Sequence, residues 1–330
     1  MRVAVTGAAG YVGSRLVERL RLTGHDVLGL DRDAPADTGA TRFIRCDLLD
    51  SGAYAGVLHG VDLLCHLAAA KGDWGISGDE YQRDNVGATQ ALLVAARDAG
   101  VRNWIFYSTV SVLGPSEASL DERAPRRPAN PYGASKAECE AMLERYASED
   151  PAARVVMIRP AAVYGPGNPW NTNIFRLIDA IYRGRFVMIG HGRDVKATAY
   201  IDNLLDATLF LVRRQPEQPA GVETYHYVDE PGVTTGTLVS RIHAHLGMKP
   251  RRLRLPLALA SPLALVGDAA SSVFGVDLPI TSARVRKFCT ATHFSARPIR
   301  DRGYVQRVSN EEAIRATVQW YLDEHLTAVG

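Results

Sequence analysis

Two hydrophobic patterns alternate along the first half of the chain. Short apolar runs that predict buried strands lie at residues 3–5, 25–31, 41–46, 62–66, 103–107 and 154–158. Amphipathic stretches that predict helices lie from the first glycine-rich turn to about Gly24, from 79 to 99 and from 131 to 147. Because strands alternate with helices, the pattern predicts an α/β fold with a Rossmann-like, doubly wound parallel sheet.

Beyond residue 165 the alternation becomes less regular. Helices are predicted near 173–183, 202–213, 235–246 and 310–324, and short strands near 186–189 and 224–228. We therefore interpret residues 1–165 as an NAD(P)-binding Rossmann domain with returning segments near 186–230. Residues 166–330 are interpreted mainly as a smaller, mixed substrate-binding region.

The most apolar later stretch runs from Leu255 to Phe274. Pro256, Pro262 and Asp268 interrupt it, so it is too broken for a helix that spans a membrane. It is interpreted as a helical cover over a pocket. The alternative is an apolar surface that contacts a lipid.

Composition excludes several classes of protein. The 330 residues carry 38 Lys and Arg against 36 Asp and Glu, so the net charge of +2 gives no argument for binding nucleic acid. The four cysteines are scattered and form no C-x-x-C pair, which favours reduced thiols over a disulfide frame or a metal site. The chain begins directly with a predicted strand, so we expect no signal peptide and a cytoplasmic protein.

A glycine-rich turn joins the first predicted strand to the first helix. Gly7 permits a tight turn, Gly10 lets the backbone approach a pyrophosphate, and Gly13 lets the helix pack on the strand. Asp31 ends the second strand at the spacing of a carboxylate that binds an adenosine ribose, which favours NAD. Arg32 follows and could accept a 2′-phosphate, so NADP stays open, although a solvated loop arginine is the simpler interpretation.

Tyr132 and Lys136 lie one helical turn apart at the start of a predicted helix. A buried ammonium beside a phenol favours the phenolate and lowers its pKa, which gives a base for an alcohol proton. By itself this spacing is also common on solvated helix faces.

Together these segments resemble the extended short-chain dehydrogenase/reductase family, within it the NAD-dependent epimerase/dehydratase branch. The matching segments cover nearly the whole chain. They are Thr6-Gly-Ala-Ala-Gly-Tyr-Val-Gly13, Asp31, Cys46-Asp-Leu48, His66-Leu-Ala-Ala69, Asn85-Val-Gly-Ala-Thr89, Tyr107-Ser-Thr109, Pro131-Tyr-Gly-Ala-Ser-Lys136, Arg159-Pro160, Tyr164-Gly-Pro166 and Tyr200-Ile-Asp-Asn203.

The resemblance implies a role for each matching residue. Thr109, Tyr132 and Lys136 would be catalytic, with Thr109 bound to the substrate hydroxyl and Lys136 also to the nicotinamide ribose. The other implied cofactor contacts are Gly7, Gly10, Tyr11 and Val12 at the pyrophosphate, Asp31 at the adenosine ribose, Asp47 and Leu48 at the adenine, Ala68 and Ala69 beside the nicotinamide, and Leu67, Pro160 and Val163. Family members often form homodimers, and the helices at 79–99 and 131–147 could supply that interface.

Departures from the family pattern narrow the reaction. Family 4,6-dehydratases carry an Asp-Glu pair after the catalytic threonine, where this chain has Val110 and Ser111. Ala162 and Lys196 replace an Asn and an Arg that are common in nucleotide-sugar epimerases. The segment around Lys196 is similar to a branch that acts on lipid-linked sugars.

Three hypotheses follow. The first is an NAD-dependent 4-epimerase of a nucleotide- or lipid-diphosphate-linked sugar, with membrane contact only for a lipid-linked substrate. The second is a hydroxysteroid-dehydrogenase-like or carbonyl-reducing enzyme that uses NAD(P) on an apolar alcohol or ketone. The third is a dinucleotide-sensing module without catalysis, which the presence of both Tyr132 and Lys136 disfavours.

Overall fold

The computed structural model describes residues 1–34, 39–72, 75–170, 172–217, 219–250, 254–256, 258–260, 262, 264–265, 268 and 292–327. The strands are β1 (Arg2–Thr6), β2 (Asp26–Asp31), β3 (Arg42–Arg45), β4 (Leu63–His66), β5 (Asn103–Tyr107), β6 (Ser116–Leu120), β7 (Arg154–Pro160), β8 (Ala162–Tyr164), β9 (Met188–Ile189), β10 (Val195–Lys196), β11 (Thr198–Tyr200), β12 (Gly221–Tyr227), β13 (Val233–Thr234), β14 (Arg254–Leu255) and β15 (Thr292–Phe294). The helices are α1 (Tyr11–Leu22), α2 (Gly78–Tyr81), α3 (Ala88–Asp98), α4 (Pro131–Glu149), α5 (Asn173–Tyr182), α6 (Ile201–Arg214), α7 (Thr235–His245), α8 (Arg297–Asp301) and α9 (Asn310–Thr327).

Seven of these strands form one parallel sheet in the order β12-β7-β5-β4-β1-β2-β3. The strand order reverses between β1 and β4, which is the doubly wound topology predicted from the sequence. Ligands of such sheets bind outside the carboxyl ends of the strands near this switch point. The predicted α/β fold class is therefore confirmed.

Helices cover the sheet on both faces because its strands are apolar on both sides. Along β1, Val3 and Val5 belong to a core that also contains residues of α1 and α6, whereas Ala4 belongs to a second core that contains residues of α3 and α4. The two cores hold the sheet rigid, so its carboxyl edge can position side chains accurately.

The second half adds short strand pairs around that edge. β8 pairs with β11 in parallel, β10 with β13 antiparallel, β9 with β14 in parallel and β6 with β15 in parallel. Most of the segment 255–274 lies outside the described residues, so its role stays a prediction. Where it is described, Ala260 and Ala264 are buried against Ile189 and Leu255. No helix in the described ranges has the length and apolar character needed to cross a membrane.

The helix predicted over 79–99 contains an irregular centre. α2 continues into a π-helical segment, Gln82–Gly87, and only then into α3. Such widened turns occur frequently at functional sites, since they redirect side chains without breaking the helix.

Candidate active site

The glycine-rich turn leaves no room for side chains where a diphosphate would approach. Gly7 has a φ of +70°, and a Cβ there would lie 2.7 Å from the Ala68 nitrogen. A Cβ on Gly13 would lie 1.9 Å from the Gly7 carbonyl oxygen. Gly10 precedes the first residue of α1 and provides no side-chain cap, so the N–H groups of the first turn are available to an anion. These residues therefore fit a dinucleotide.

The Asp31 carboxylate lies beside this turn, at the end of β2. Its Oδ2 accepts a hydrogen bond of 2.9 Å from the Ala9 N–H, and its Oδ1 accepts one from the Asp33 N–H. The backbone thus fixes the carboxylate at the position where the sequence predicts the adenosine ribose.

Arg32 follows β2 in a loop, and its side chain is close to half exposed. Its guanidinium pairs with Asp84 at 3.0 Å and with Asp47 at 3.2 Å. The cation that could have accepted a 2′-phosphate is therefore already paired with two carboxylates.

Backbone and hydroxyl groups bring the ends of β1 and β4 together beneath the turn. The Thr6 hydroxyl accepts hydrogen bonds from the Leu67 and Ala68 N–H groups and contacts His66 Nδ1 at 2.7 Å. His66 Nε2 lies 3.0 Å from the Thr89 hydroxyl. Burial lowers the pKa of His66 to about 3, so its ring is neutral and acts as a structural bridge.

The other predicted cofactor residues lie at or near the same edge of the sheet. Val12 is in the first turn of α1, Leu48 follows β3 and is buried, Ala69 follows β4, Pro160 ends β7, and Val163 lies in β8. Tyr11 stacks under the Arg15 guanidinium, 4.7 Å from its ring centroid.

The first turn of α4 packs against the turn that carries Thr109. The Asn130 side chain caps this helix by accepting the Gly133 N–H at 2.7 Å. A Cβ on Gly133 would lie 2.5 Å from the Ser111 carbonyl oxygen, so a glycine is needed for this close approach. The structure thereby brings Thr109 and Tyr132 to neighbouring turns, although no hydrogen bond joins them in the described part of the chain.

Within its own turn the Thr109 hydroxyl accepts the Ser111 N–H and donates to the Ser111 hydroxyl at 3.2 Å. From the sequence, Ser111 stands out only as a replacement for an acid of the family pattern. Its hydroxyl is a further polar group at this end of β5, and the spacing Thr-x-Ser at the end of a strand was the signal for it.

Lys136 is buried, with 1% of its surface exposed. Its Nζ lies over the Phe106 ring, 4.0 Å from the centroid, and burial lowers the pKa of Lys136 from 10.5 to about 8. Burial raises the pKa of the partly buried Tyr132 phenol, with Tyr81 as a smaller contributor. In this structure low polarity around the ring raises the phenol pKa, which is opposite in direction to the lowering that the sequence predicts.

Asn85 binds α4 through a hydrogen bond to Ser135. From the π-helical segment, its side-chain NH₂ donates to the Ser135 hydroxyl at 2.9 Å and to the Ala70 carbonyl, and its Oδ1 accepts the Ala70 N–H at 2.7 Å. Asn85 thus ties the loop after β4 to the helix of Tyr132. The sequence contained Asn85 within a matching segment, but it gave no indication of this role.

A buried ion-pair network lies one turn beyond Lys136. The fully buried Glu140 accepts two hydrogen bonds from Arg159, at 2.8 and 2.7 Å, and one from Arg126 at 2.5 Å. Arg126 also pairs with Glu144. The arginines lower the pKa of Glu140 despite its burial. This network fixes α4 to the end of β7.

Comparisons with known proteins agree with this arrangement. The model of the NAD dependent epimerase/dehydratase family matches residues 3–225. The N-acetyl-alpha-D-glucosaminyl-diphospho-ditrans,octacis-undecaprenol 4-epimerase of Escherichia coli O157:H7 is 31% identical over 96% of this chain and 94% of its own. A 2-alkyl-3-oxoalkanoate reductase of Stenotrophomonas maltophilia is 28% identical over 96% of this chain and 98% of its own. The solved structure of MoeE5 in complex with UDP-glucuronic acid and NAD has a TM-score of 0.78 at 27% identity, and the match covers 98% of this chain and 100% of that one.

Proposed function

The chain belongs to the NAD dependent epimerase/dehydratase family, and on that premise we propose that it is a 4-epimerase of a diphosphate-linked sugar. The observation that carries the proposal is the position of Tyr132 and Lys136 in the first turns of α4, packed against the turn of Thr109 at the carboxyl edge of the sheet. The absence of an acid pair at Val110 and Ser111 favours a reaction without elimination.

The cofactor is NAD, which when bound supplies the site with a reversible hydride acceptor. The glycine turn would hold its diphosphate, with Asp31 at the adenosine ribose and Ala68 and Ala69 beside the nicotinamide half. In the proposed mechanism the Tyr132 phenolic oxygen takes the proton of the sugar 4-hydroxyl and later returns it.

Lys136 and Thr109 support that proton transfer. The Lys136 ammonium is mostly protonated at pH 7, since its pKa of about 8 lies above that pH. In a site of low polarity its charge favours the phenolate once a sugar closes the pocket. Thr109 would exchange its hydrogen bond to Ser111 for one to the substrate hydroxyl and so orient the alcohol.

For the sugar carrier we propose a lipid diphosphate. The relative from Escherichia coli, named for an undecaprenyl diphosphate sugar, matches the chain almost end to end. In this chain Lys196 lies in β10, in the segment that is similar to the lipid-linked branch. A nucleotide diphosphate sugar is the alternative carrier, as in the UDP-glucuronic acid complex of MoeE5.

The test is an epimerisation assay on matched substrates. The purified enzyme is incubated with polyprenyl-diphospho-N-acetylglucosamine, UDP-N-acetylglucosamine or UDP-glucose, and the 4-epimer is quantified by chromatography. We expect turnover of the polyprenyl substrate without net formation of NADH. No epimer from any of the three would refute the proposal, and turnover of the UDP-sugars alone would refute the lipid carrier.

Tyr132→Phe separates catalysis from binding. Removal of a general base typically lowers the rate by about 10²- to 10⁴-fold, and we expect that loss in turnover with NAD still retained. The matched control is Tyr81→Phe, because the Tyr81 ring lies 6.0 Å from the Tyr132 ring and its hydroxyl donates to the Gly72 carbonyl. We expect the control to keep activity within about tenfold, which is the rate equivalent of one hydrogen bond.

A carbonyl reductase is the second candidate, favoured by the near full-length match to the Stenotrophomonas enzyme. Net consumption of NADH with an apolar β-keto acid, together with no epimer formation, would establish it in place of the epimerase.

For the molecule as a whole we propose a cytoplasmic homodimer. Residues 1–165, with returning segments near 186–230, would form the nucleotide-binding part, and residues 166–330 mainly the substrate-binding part. Support for the dimer comes from α3 and α4, which lie together on one face of the sheet and include the half-exposed Val94. The buried free thiols of Cys46, Cys65 and Cys139 are typical of a reducing compartment. Sedimentation equilibrium tests the dimer, and a monomer at micromolar concentration would refute it.

A further inference from the structure

Arg32 is held by two carboxylates from distant parts of the chain. Its Nη1 donates to Asp84 Oδ2 at 3.2 Å and its Nη2 lies 3.0 Å from Asp84 Oδ1, so the pairing is two-pronged. Its Nε lies 3.2 Å from Asp47 Oδ2. An arginine that is bound on both edges has few directions left in which to bind another anion.

Asp84, the two-pronged partner of Arg32, is itself held firmly in place. The Asp84 side chain is only 11% exposed, whereas those of Arg32 and Asp47 are close to half exposed. Asp84 lies in the π-helical segment, directly before Asn85, whose hydrogen bonds to Ala70 and Ser135 anchor that segment. Asp84 also pairs with Arg83 at 2.7 Å.

This cluster lies at the edge where the adenosine ribose of the cofactor would bind. Arg32 directly follows Asp31, and the Asp31 carboxylate is bonded to the Ala9 N–H of the glycine turn. A 2′-phosphate at that ribose would meet the charge of Asp31 and would need a cation to offset it. Two cations lie near it. Arg45 donates through its Nε to the Arg32 carbonyl oxygen, and Arg32, which directly follows Asp31, is already neutralised by Asp84 and Asp47.

We propose that Asp84 is a specificity-determining residue that holds Arg32 in an ion pair and thereby makes the site select NAD over NADP. Asp31 excludes the phosphate by direct repulsion, and Asp84 removes the arginine that could compensate for it. The inference depends on the cofactor of the family and not on the identity of the sugar.

The test measures binding and needs no substrate. The full-length protein is dialysed to equilibrium against equal concentrations of NAD and NADP, and the bound nucleotides are separated and quantified. We expect Asp84→Asn to raise the bound NADP:NAD ratio about tenfold over the wild type. Asp47 still pairs with Nε, but the Nη1 and Nη2 groups of Arg32 become available, and about tenfold is the value of one charge-assisted hydrogen bond from them.

The double variant Arg32→Ala with Asp84→Asn tests whether Arg32 causes the rise in the bound NADP:NAD ratio. We expect it to return the ratio to within about threefold of the wild type, because the freed arginine is then missing. The matched control is Asp79→Asn, an exposed carboxylate on the neighbouring α2, which should leave the ratio unchanged. An unchanged ratio in Asp84→Asn, or a rise that persists in the double variant, would overturn the proposal.

Arg32→Ala alone provides a second test if Asp84→Asn does not fold. An arginine that is already held in ion pairs contributes nothing to NADP binding, so the bound NADP:NAD ratio of Arg32→Ala should stay within about threefold of the wild type. A larger fall in this ratio would mean that Arg32 already contacts the 2′-phosphate of NADP in the wild type, and the proposal would be wrong. A wild type that binds neither nucleotide would refute NAD dependence and this inference with it. An enzyme that binds NAD but epimerises no sugar would refute only the proposed function.

Discussion

Replacing the buried lysine of the site should make the protein more stable. Lys136 is almost fully buried, and its pKa falls from 10.5 to about 8. A fall of that size corresponds to roughly 3 kcal/mol of destabilisation when the ammonium is charged in the folded chain. The contact with the Phe106 ring offsets this by about 1 kcal/mol. We therefore expect Lys136→Met, of similar length, to raise the free energy of unfolding by about 2 kcal/mol at pH 7.

The stability difference between Lys136→Met and the wild type should change with pH in a direction that can be checked. The folded chain holds the Lys136 proton less tightly than the unfolded chain, because its folded pKa is the lower one. As the pH falls from 10.5 towards 8, the unfolded state binds the proton first and the folded state loses stability relative to it. The advantage of Lys136→Met should therefore be complete below pH 8 and should disappear as the pH approaches 10.5.

The assay is urea unfolding at pH 7 and again at about pH 10. Both proteins are first freed of nucleotide, since a ligand that binds only the folded state adds its own stabilisation. Lys249→Met is the matched control, because Lys249 is exposed and its replacement should change stability by less than about 0.5 kcal/mol. A less stable Lys136→Met at pH 7, or an equal gain at both pH values, would refute the reasoning. If it holds, the lysine is kept at the expense of stability, as expected for a functional group.

Two further predictions concern the packing that supports the site. Arg159→Met should lower the free energy of unfolding by about 3–5 kcal/mol, because it leaves the buried Glu140 without its two-pronged partner, whereas Arg102→Met at an exposed ion pair should cost under about 1 kcal/mol. Equal losses in urea unfolding would contradict this difference. Gly13→Ala should abolish NAD retention and cost about 1–3 kcal/mol, because its Cβ would lie 1.9 Å from a carbonyl oxygen of the turn, and Gly78→Ala, in open space, should do neither. NAD retention by the Gly13 variant at the level of the wild type would show that the turn adjusts freely.

The elements that the sequence predicted well are those with strong local signals. β7 follows the predicted run almost residue for residue, since Val155 to Ile158 are buried on both faces and leave a continuous apolar signature. The glycine turn could be predicted equally well, because the spacing of its glycines and the flanking strand and helix are all encoded by neighbouring residues. β10 and β13 have two residues each, so no periodicity could reveal them.

Features that depend on distant partners were beyond the sequence. Nothing near Arg32 indicates that its partner lies 52 residues further along the chain. The spacing of Tyr132 and Lys136 predicted their common helix face correctly, but the pKa of the phenol depends on how much water the fold removes around it. For the same reason Glu140 and Arg159 could be identified as charged residues, while their burial could not.

The edge strand β12 has a consequence for how the chain is assembled. It pairs in parallel with β7 along Gly221–Tyr227, so the sheet receives its final strand only after some sixty intervening residues have been made. A chain cut near residue 165 would leave β7 as an open edge with unpaired backbone groups, a template for self-association. A fragment that ends there should therefore aggregate when it is expressed alone, and during synthesis on the ribosome the sheet stays incomplete until residues 221–227 have emerged.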